Sequence, residues 1–118
     1  MSKLTVIALA PVSAPTGTST GNAVDIVDFT GNAQLVLDCG APAAAETLDV
    51  KLQHSDTSGG TYTDTGISFA QVTNAGGASY QVLSASVDGL KRYIKVVATK
   101  VGTTALARSV YLVGNKAL

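Results

Sequence analysis

Apolar and polar side chains alternate with a period of two along much of this chain, the mark of strands that bury one face. Between residues 47 and 54, Leu48, Val50 and Leu52 fall on one side and Asp49, Lys51 and Gln53 on the other. Residues 92–100 repeat the scheme, with Ile94, Val96 and Ala98 opposite Lys95 and Thr99, while Tyr93 and Val97 make the second face less polar. Similar runs occupy residues 4–9, 23–29, 33–39, 67–73, 79–84 and 106–113, with a further short one at 61–65. The pattern predicts eight or nine strands.

Gly31-Asn32, Ser58-Gly59-Gly60, Asn74-Ala75-Gly76-Gly77 and Asp88-Gly89 lie between these runs and read as hairpin turns, where a positive φ must be tolerated. The helix-friendly stretch 41–46 is short and interrupted by Pro42, so it reads as a loop with at most one helical turn. Hairpins make antiparallel pairs, and so short a chain must hide one face of each of two sheets. The expected fold is therefore all-β: an antiparallel β-sandwich of jelly-roll type with about eight strands. An immunoglobulin-like sandwich is the alternative, but the chain has no Trp and no second Cys. Residues 11–22, PVSAPTGTSTGN, have linker composition. Residues 1–22 are accordingly read as an N-terminal strand and flexible arm, and 23–118 as the sandwich. The arm is either an ordinary loop or a segment that adds its strand to a neighbouring subunit.

With 118 residues and 46% hydrophobic content, the chain suits one domain with one core. Eight basic and eight acidic residues cancel, leaving no excess charge for neutralising nucleic-acid phosphates. The charges are nevertheless segregated: residues 1–64 hold two basic and seven acidic side chains, residues 65–118 six basic and one acidic. Either the two halves pair across a sheet or they form a two-signed docking surface. The opening residues, up to Ala8-Leu9-Ala10, superficially resemble a secretory leader, but the apolar stretch is short and reads equally as a strand. No run approaches the roughly 18 apolar residues of a membrane-spanning helix.

Candidate chemistry is sparse. His54-Ser55-Asp56 brings together a base, a hydroxyl and a carboxylate, but consecutive strand residues face opposite ways and a triad needs side chains that converge. His54 is expected to face solvent or pack on a turn. Asp25 with Asp28, or Asp56 with Asp64, do not match a calcium-loop spacing, and the last two read as residues flanking a hairpin. Neither glycine-rich phosphate-binding pattern occurs. Cys39, the one cysteine, ends an apolar strand and reads as a buried small hydrophobe. Lys91-Arg92-Tyr93 reads as a strand entry with charge outside and Tyr93 inside. No catalysis, cofactor or metal is expected; the composition describes a structural part.

Two stretches resemble a known group. Leu52-Gln53-His54-Ser55-Asp56 with Gly59-Gly60-Thr61-Tyr62-Thr63-Asp64 resembles the "x-Q-x-S-D, small loop, F/Y-x-D" hairpin of small structural proteins of tailed bacteriophages and prophages. Lys91-Arg92-Tyr93-Ile94-Lys95-Val96, followed by Gly102-Thr103-Thr104, resembles their "K-R-Y-hydrophobic-R/K" strand and trailing hairpin. With Val24-Asp25-Ile26-Val27-Asp28, the resemblance spans residues 22–114. It implies a capsid cement or decoration protein: a jelly roll on the outer surface of the virion, bound to the major capsid protein as a homo-oligomer, with a trimer favoured over a dimer, and made in a bacterial cytoplasm. A tail- or fibre-associated module that recognises a host glycan or receptor is the alternative. Neither nucleic acid nor membrane is an expected partner. The candidate interface residues are Lys3, Thr5, Ile7, Pro11, Pro15, Thr18, Lys91, Arg92 and Arg108.

Overall fold

Ten strands account for most of the computed structural model, which describes residues 2–117: β1 (Ser2–Ser13), β2 (Ser19–Thr20), β3 (Val24–Asp25), β4 (Phe29–Cys39), β5 (Thr47–Ser55), β6 (Thr63–Ser68), β7 (Val72–Thr73), β8 (Ser79–Ser86), β9 (Tyr93–Val101) and β10 (Arg108–Ala117). Met1 and Leu118, the outer ends of the two expected segments, lie outside the described residues. One sheet has the order β1-β10-β4-β8; the other has β2-β9-β5-β6, with β3 also on β9 and β7 also on β5. Every strand pairing is antiparallel. Except at β2–β3, β5–β6 and β6–β7, each connection carries the chain from one sheet to the other. That alternation is the jelly roll, and the fold is an antiparallel β-sandwich of that type.

The inward positions of both sheets meet in one core. Leu9, Leu35, Leu37, Val110 and Leu112 come from the first sheet, and Leu48, Val50, Leu52, Ile94, Val96 and Ala98 from the second. Phe29, Phe69, Leu106 and Val87 close its ends. Leu48, Val50 and Leu52 are buried, whereas Asp49 is exposed and Lys51 half-buried, as the alternation requires.

Several boundaries differ from the sequence reading. Gly31-Asn32 is not a turn: β4 starts at Phe29 and runs through both residues. Gly31 takes φ +73° there, and the register against β10 slips between Val113 and Asn115, so a bulge takes up the extra residues. The strand expected at 23–29 shrinks to Val24–Asp25, and 67–73 divides between the end of β6 and the two-residue β7. Ser58-Gly59-Gly60 does link two paired strands, but the turns at 74–77 and 88–89 send the chain across to the opposite sheet. The 41–46 stretch makes a tight turn, closed by the Glu46 N–H donating to the Ala43 carbonyl, with Ala45 at φ 63°. Residues 2–13, expected to be a strand and the start of an arm, form a strand in the chain's own sheet, paired from Ser2 to Ser13 with β10.

Gly21, between β2 and β3, is wedged between Leu9 of β1 and Val96 of β9. Its N–H donates to the Val96 carbonyl, and a Cβ would collide with the Leu9 carbonyl oxygen and lie 3.0 Å from Val96 Cγ2. Gly21→Ala should therefore destabilise the fold by about 1–3 kcal/mol. Leu37→Ala, at a fully enclosed position, should cost about 3 kcal/mol. Val36→Ala, its outward neighbour, should cost less than about 1 kcal/mol. Urea denaturation of the three variants checks the ranking, and equal costs at 36 and 37 would contradict the assigned faces.

Candidate interaction surfaces

The two broad faces of the sandwich differ in chemistry because the outward residues of the two sheets differ. On the six-stranded sheet they are mostly polar and largely satisfied by one another, although Val97, Val101 and Tyr93, the last expected inside, also lie on this side of β9. Lys51 Nζ and Gln53 Nε2 both reach the Asp64 carboxylate, at 3.1 and 2.9 Å, and Gln71 Nε2 donates to Asp49 at 3.0 Å. The hydrogen bond from Gln53, and then that from Lys51, hold the Asp64 carboxyl below its ordinary pKa. Asp64 is thus a cross-strand acceptor rather than a turn residue. Lys95 Nζ lies 4.1 Å from the centre of the Tyr62 ring, whose hydroxyl donates to the Ser58 carbonyl at 2.9 Å. The 57–62 loop is tied down by these contacts.

The outer side of the four-stranded sheet is largely apolar. One row runs Ala8, Tyr111, Val36, Val82 directly across β1, β10, β4 and β8. The next runs Val6, Val113, Gln34, Ser84, and on the other side lie Ser109, Asp38 and Tyr80. Of these eleven side chains only Asp38 is ionised. Leu4 is 68% exposed, Val6 61%, Tyr80 65% and Val82 48%, far more than the core residues beside them. β8 explains part of this. Gln81 turns to the half-buried side, where its amide accepts from the Ala70 N–H at 2.8 Å and donates to the Ala70 carbonyl at 2.9 Å, so that Tyr80 and Val82 point outward.

The two ends also differ. At one end Arg92 grips Asp25 through two nitrogens, Nε to Oδ1 at 3.1 Å and Nη2 to Oδ2 at 2.8 Å. That hydrogen bonding, followed by the Val27 N–H, holds the Asp25 carboxyl below the usual carboxylate range, and Asp25 raises the Arg92 pKa in turn. Lys91 Nζ lies 3.8 Å from Asp56, and the Lys91 N–H donates to His54 Nδ1 at 3.1 Å. Lys3 and Lys116 are register partners at the same end, where the Ala117 N–H donates to the Asp28 carbonyl. The opposite end, built from loops of Ala, Gly, Thr and Pro, carries its charge mostly inside. Lys100 Nζ meets Glu46 Oε1 at 2.6 Å, with the Lys100 side chain 1% exposed and that of Glu46 15%. Thr104 adds its N–H to Oε1 at 3.1 Å and its hydroxyl to Oε2 at 2.7 Å.

The nine expected interface residues do not form one surface. Lys3, Lys91 and Arg92 are exposed at the charged end. Thr5 and Ile7 are half-buried on the inward side of β1, and Ile7 packs against the core. Pro11, Pro15 and Thr18 serve the fold through acceptors: the Pro11 carbonyl receives Arg108 Nη1, the Pro15 carbonyl the Leu106 N–H, and Thr18 Oγ1 the Lys100 N–H. Arg108 is interior, 8% exposed, because its stem lies between the sheets while its head reaches Pro11 and, at 3.1 Å, Ser19 Oγ. Its Nε finds no acceptor among the described residues, and burial pushes its pKa down. His54, Ser55 and Asp56 serve three different contacts: His54 accepts from the Lys91 backbone, Ser55 Oγ accepts from the Thr57 N–H, and Asp56 faces Lys91. Cys39 is buried, which raises its thiol pKa. Sequence reasoning missed the Glu46–Lys100 clamp and the apolar outer face. Opposite charge was the only available signal for the clamp.

No family model and no curated protein matches the chain. Solved structures do share its fold. The SPBc2 prophage-derived protein YomS superposes with a TM-score of 0.55 at 15% identity, over 98% of this chain and 96% of that one. The structure of infectious bursal disease virus, Gx strain, gives a TM-score of 0.58 at 12% identity, and the VP2 subviral particle of the same virus gives 0.56 at 14%. Each of these viral matches covers 98% of this chain but only 32% and 33% of the viral chain, respectively. At these identities the likeness establishes the fold.

The Glu46 clamp has a pH signature. Hydrogen bonding from Lys100, and then from Thr104, lowers the Glu46 pKa from its ordinary 4.5. A folded-state pKa below the unfolded value gives stability that is present above 4.5 and lost as pH falls through the lowered value. Glu46→Gln should melt at a lower temperature than the wild type at neutral pH, with the gap closing as pH drops below 4.5. Thermal melts followed by circular dichroism check this, and a pH-independent gap would assign the loss to shape rather than charge.

Proposed function

We propose that this chain is a non-enzymatic structural protein of a bacteriophage virion, a cement or decoration protein that binds the major capsid protein on the outside of the shell. The observation that carries this reading is the likeness to YomS, a prophage-derived protein, over nearly the full length of both chains. The VP2 likeness and the resemblance of the 52–64 and 91–96 stretches to small phage structural proteins point the same way.

The mechanism is mass action. A subunit that binds the assembled shell, but not its free components, stabilises the shell by the free energy of each site it fills. The charged end is the shell-facing surface in this reading. It presents Lys3, Lys91 and Lys116 beside Asp25, Asp28 and Asp56, a two-signed cluster that can orient an approach to a complementary partner. The glycan-binding alternative draws less support, because Tyr62, the aromatic of the 57–62 loop, is already engaged by Lys95 and Ser58.

Purified protein mixed with emptied capsids of the encoding phage should sediment with them and raise the temperature at which they disassemble. Lys91→Glu should weaken that binding, most strongly at low salt, where exposed charges are least screened. Failure to sediment with capsids, accompanied by retention on a glycan array, would replace the capsid reading with the fibre-associated one.

A further inference from the structure

We infer that the apolar outer face of the four-stranded sheet is covered by the same face of a second copy of this chain, in a two-fold dimer of sheets packed against each other. Apart from Ser109, which is buried, the described residues of its own chain leave this face at least partly open, and seven of its eleven side chains are apolar or aromatic. Val6, Ala8, Val36, Val82, Tyr111 and Val113 adjoin across four strands, with Leu4 and Tyr80 at its margins.

Three arguments select a second copy as the occupant. The first is charge. The three central rows hold one ionised group, Asp38, near one edge, so the surface offers almost nothing for an oppositely charged partner to complement. A copy of the face is apolar by construction, and a two-fold contact places like chemistry on like chemistry. The second is the poor match that the other broad face offers, despite Val97 and Val101 on it. The outer face of the six-stranded sheet is occupied by Asp49, Lys51, Gln53, Asp64 and Lys95, and packing the apolar rows on it would bury charge. A head-to-tail ring is disfavoured on that ground. The third is area. Seven residues of β10 at about 3.4 Å each, across four strands about 4.8 Å apart, span about 450 Å². Two such faces, with the Leu4–Asn115 row included, remove about 900 Å², and Val12, 72% exposed, at the far corner brings the total toward the roughly 1,000 Å² that a specific interface needs. Stacked sheets sit about 10 Å apart, a gap that these valines and tyrosines can fill.

The inference goes beyond the virion reading and does not need it. Covering these faces leaves the charged ends free. Light scattering of the wild type should give twice the 11.9 kDa chain mass. Val6→Glu and Val82→Glu, both at exposed positions that the monomer's core does not use, should each raise the dissociation constant at least about tenfold while leaving the circular dichroism spectrum unchanged. Thr99→Glu, exposed on the opposite face, should leave the mass at the dimer value. A wild-type mass of one or three chains, or unaltered association in both glutamate variants, would overturn the inference. Capsid sedimentation separates the two readings. A dimer that ignores capsids keeps this inference and loses the virion function, whereas a monomer that binds them does the reverse.

Discussion

The fold depends on β10 lying between β1 and β4. β10 fills the middle of the four-stranded sheet, and Ser2 pairs with Ala117, so this sheet is completed only when β1 and β10, more than ninety residues apart, meet. Val110 and Leu112, both fully enclosed, reach the core from that central position. Without β10, β1 has no partner and Leu35 and Leu37 lose a neighbour. Nearly every stabilising pair therefore joins residues far apart in sequence, and loop-closure entropy must be met before burial compensates for it. The short second-sheet strands β2 and β3 are held similarly, through β9 and through the reach of Arg108 to Ser19.

Charge segregation serves this non-local closure. Of the four ion pairs among the described residues, Asp25–Arg92, Asp56–Lys91 and Glu46–Lys100 join the acidic first half to the basic second half, and Lys51–Asp64 lies within one half. Three of these four pairs are substantially exposed and contribute more to pairing the correct segments than to net stability. The Glu46 clamp is different. Lys100 is buried, so its ammonium needs the carboxylate beside it, and Thr104 completes the site by fastening the β9–β10 connection to the 41–46 turn.

Period two in the sequence located β5, β9 and the body of β4 because one side of each is continuously apolar and the chemistry of the two sides differs sharply. It left β8 ambiguous, since Tyr80 and Val82 compete with Leu83 and Ala85 for the inward side. The Gln81 clasp on Ala70, set by a distant loop, decides the outcome. Turn residues marked reversals correctly at 58–60, 74–77 and 88–89 but carried no information about destination. A turn is chosen by local φ and ψ, whereas the receiving sheet is chosen by burial of residues dozens of positions away. Arg108 was assigned to the surface on charge alone. A long stem and a fan of donors let it lie inside, with backbone and hydroxyl oxygens in place of an acid.

The two sheets therefore solve different problems with the same alternation. In the six-stranded sheet the outward set is mostly polar, and its charged and amide members satisfy each other, so water is an adequate neighbour for most of it. In the four-stranded sheet the outward set is largely apolar, and exposure has a standing cost in proportion to area. Edge protection follows the same division. β1 is a long edge strand that would otherwise template pairing, and it is blunted by Lys3 at one end, by Pro11, and by two register shifts after Ala8. A β1 edge defended against strand addition, beside a largely apolar face, is what the inferred face-to-face dimer needs: association by that edge is discouraged while the face stays available.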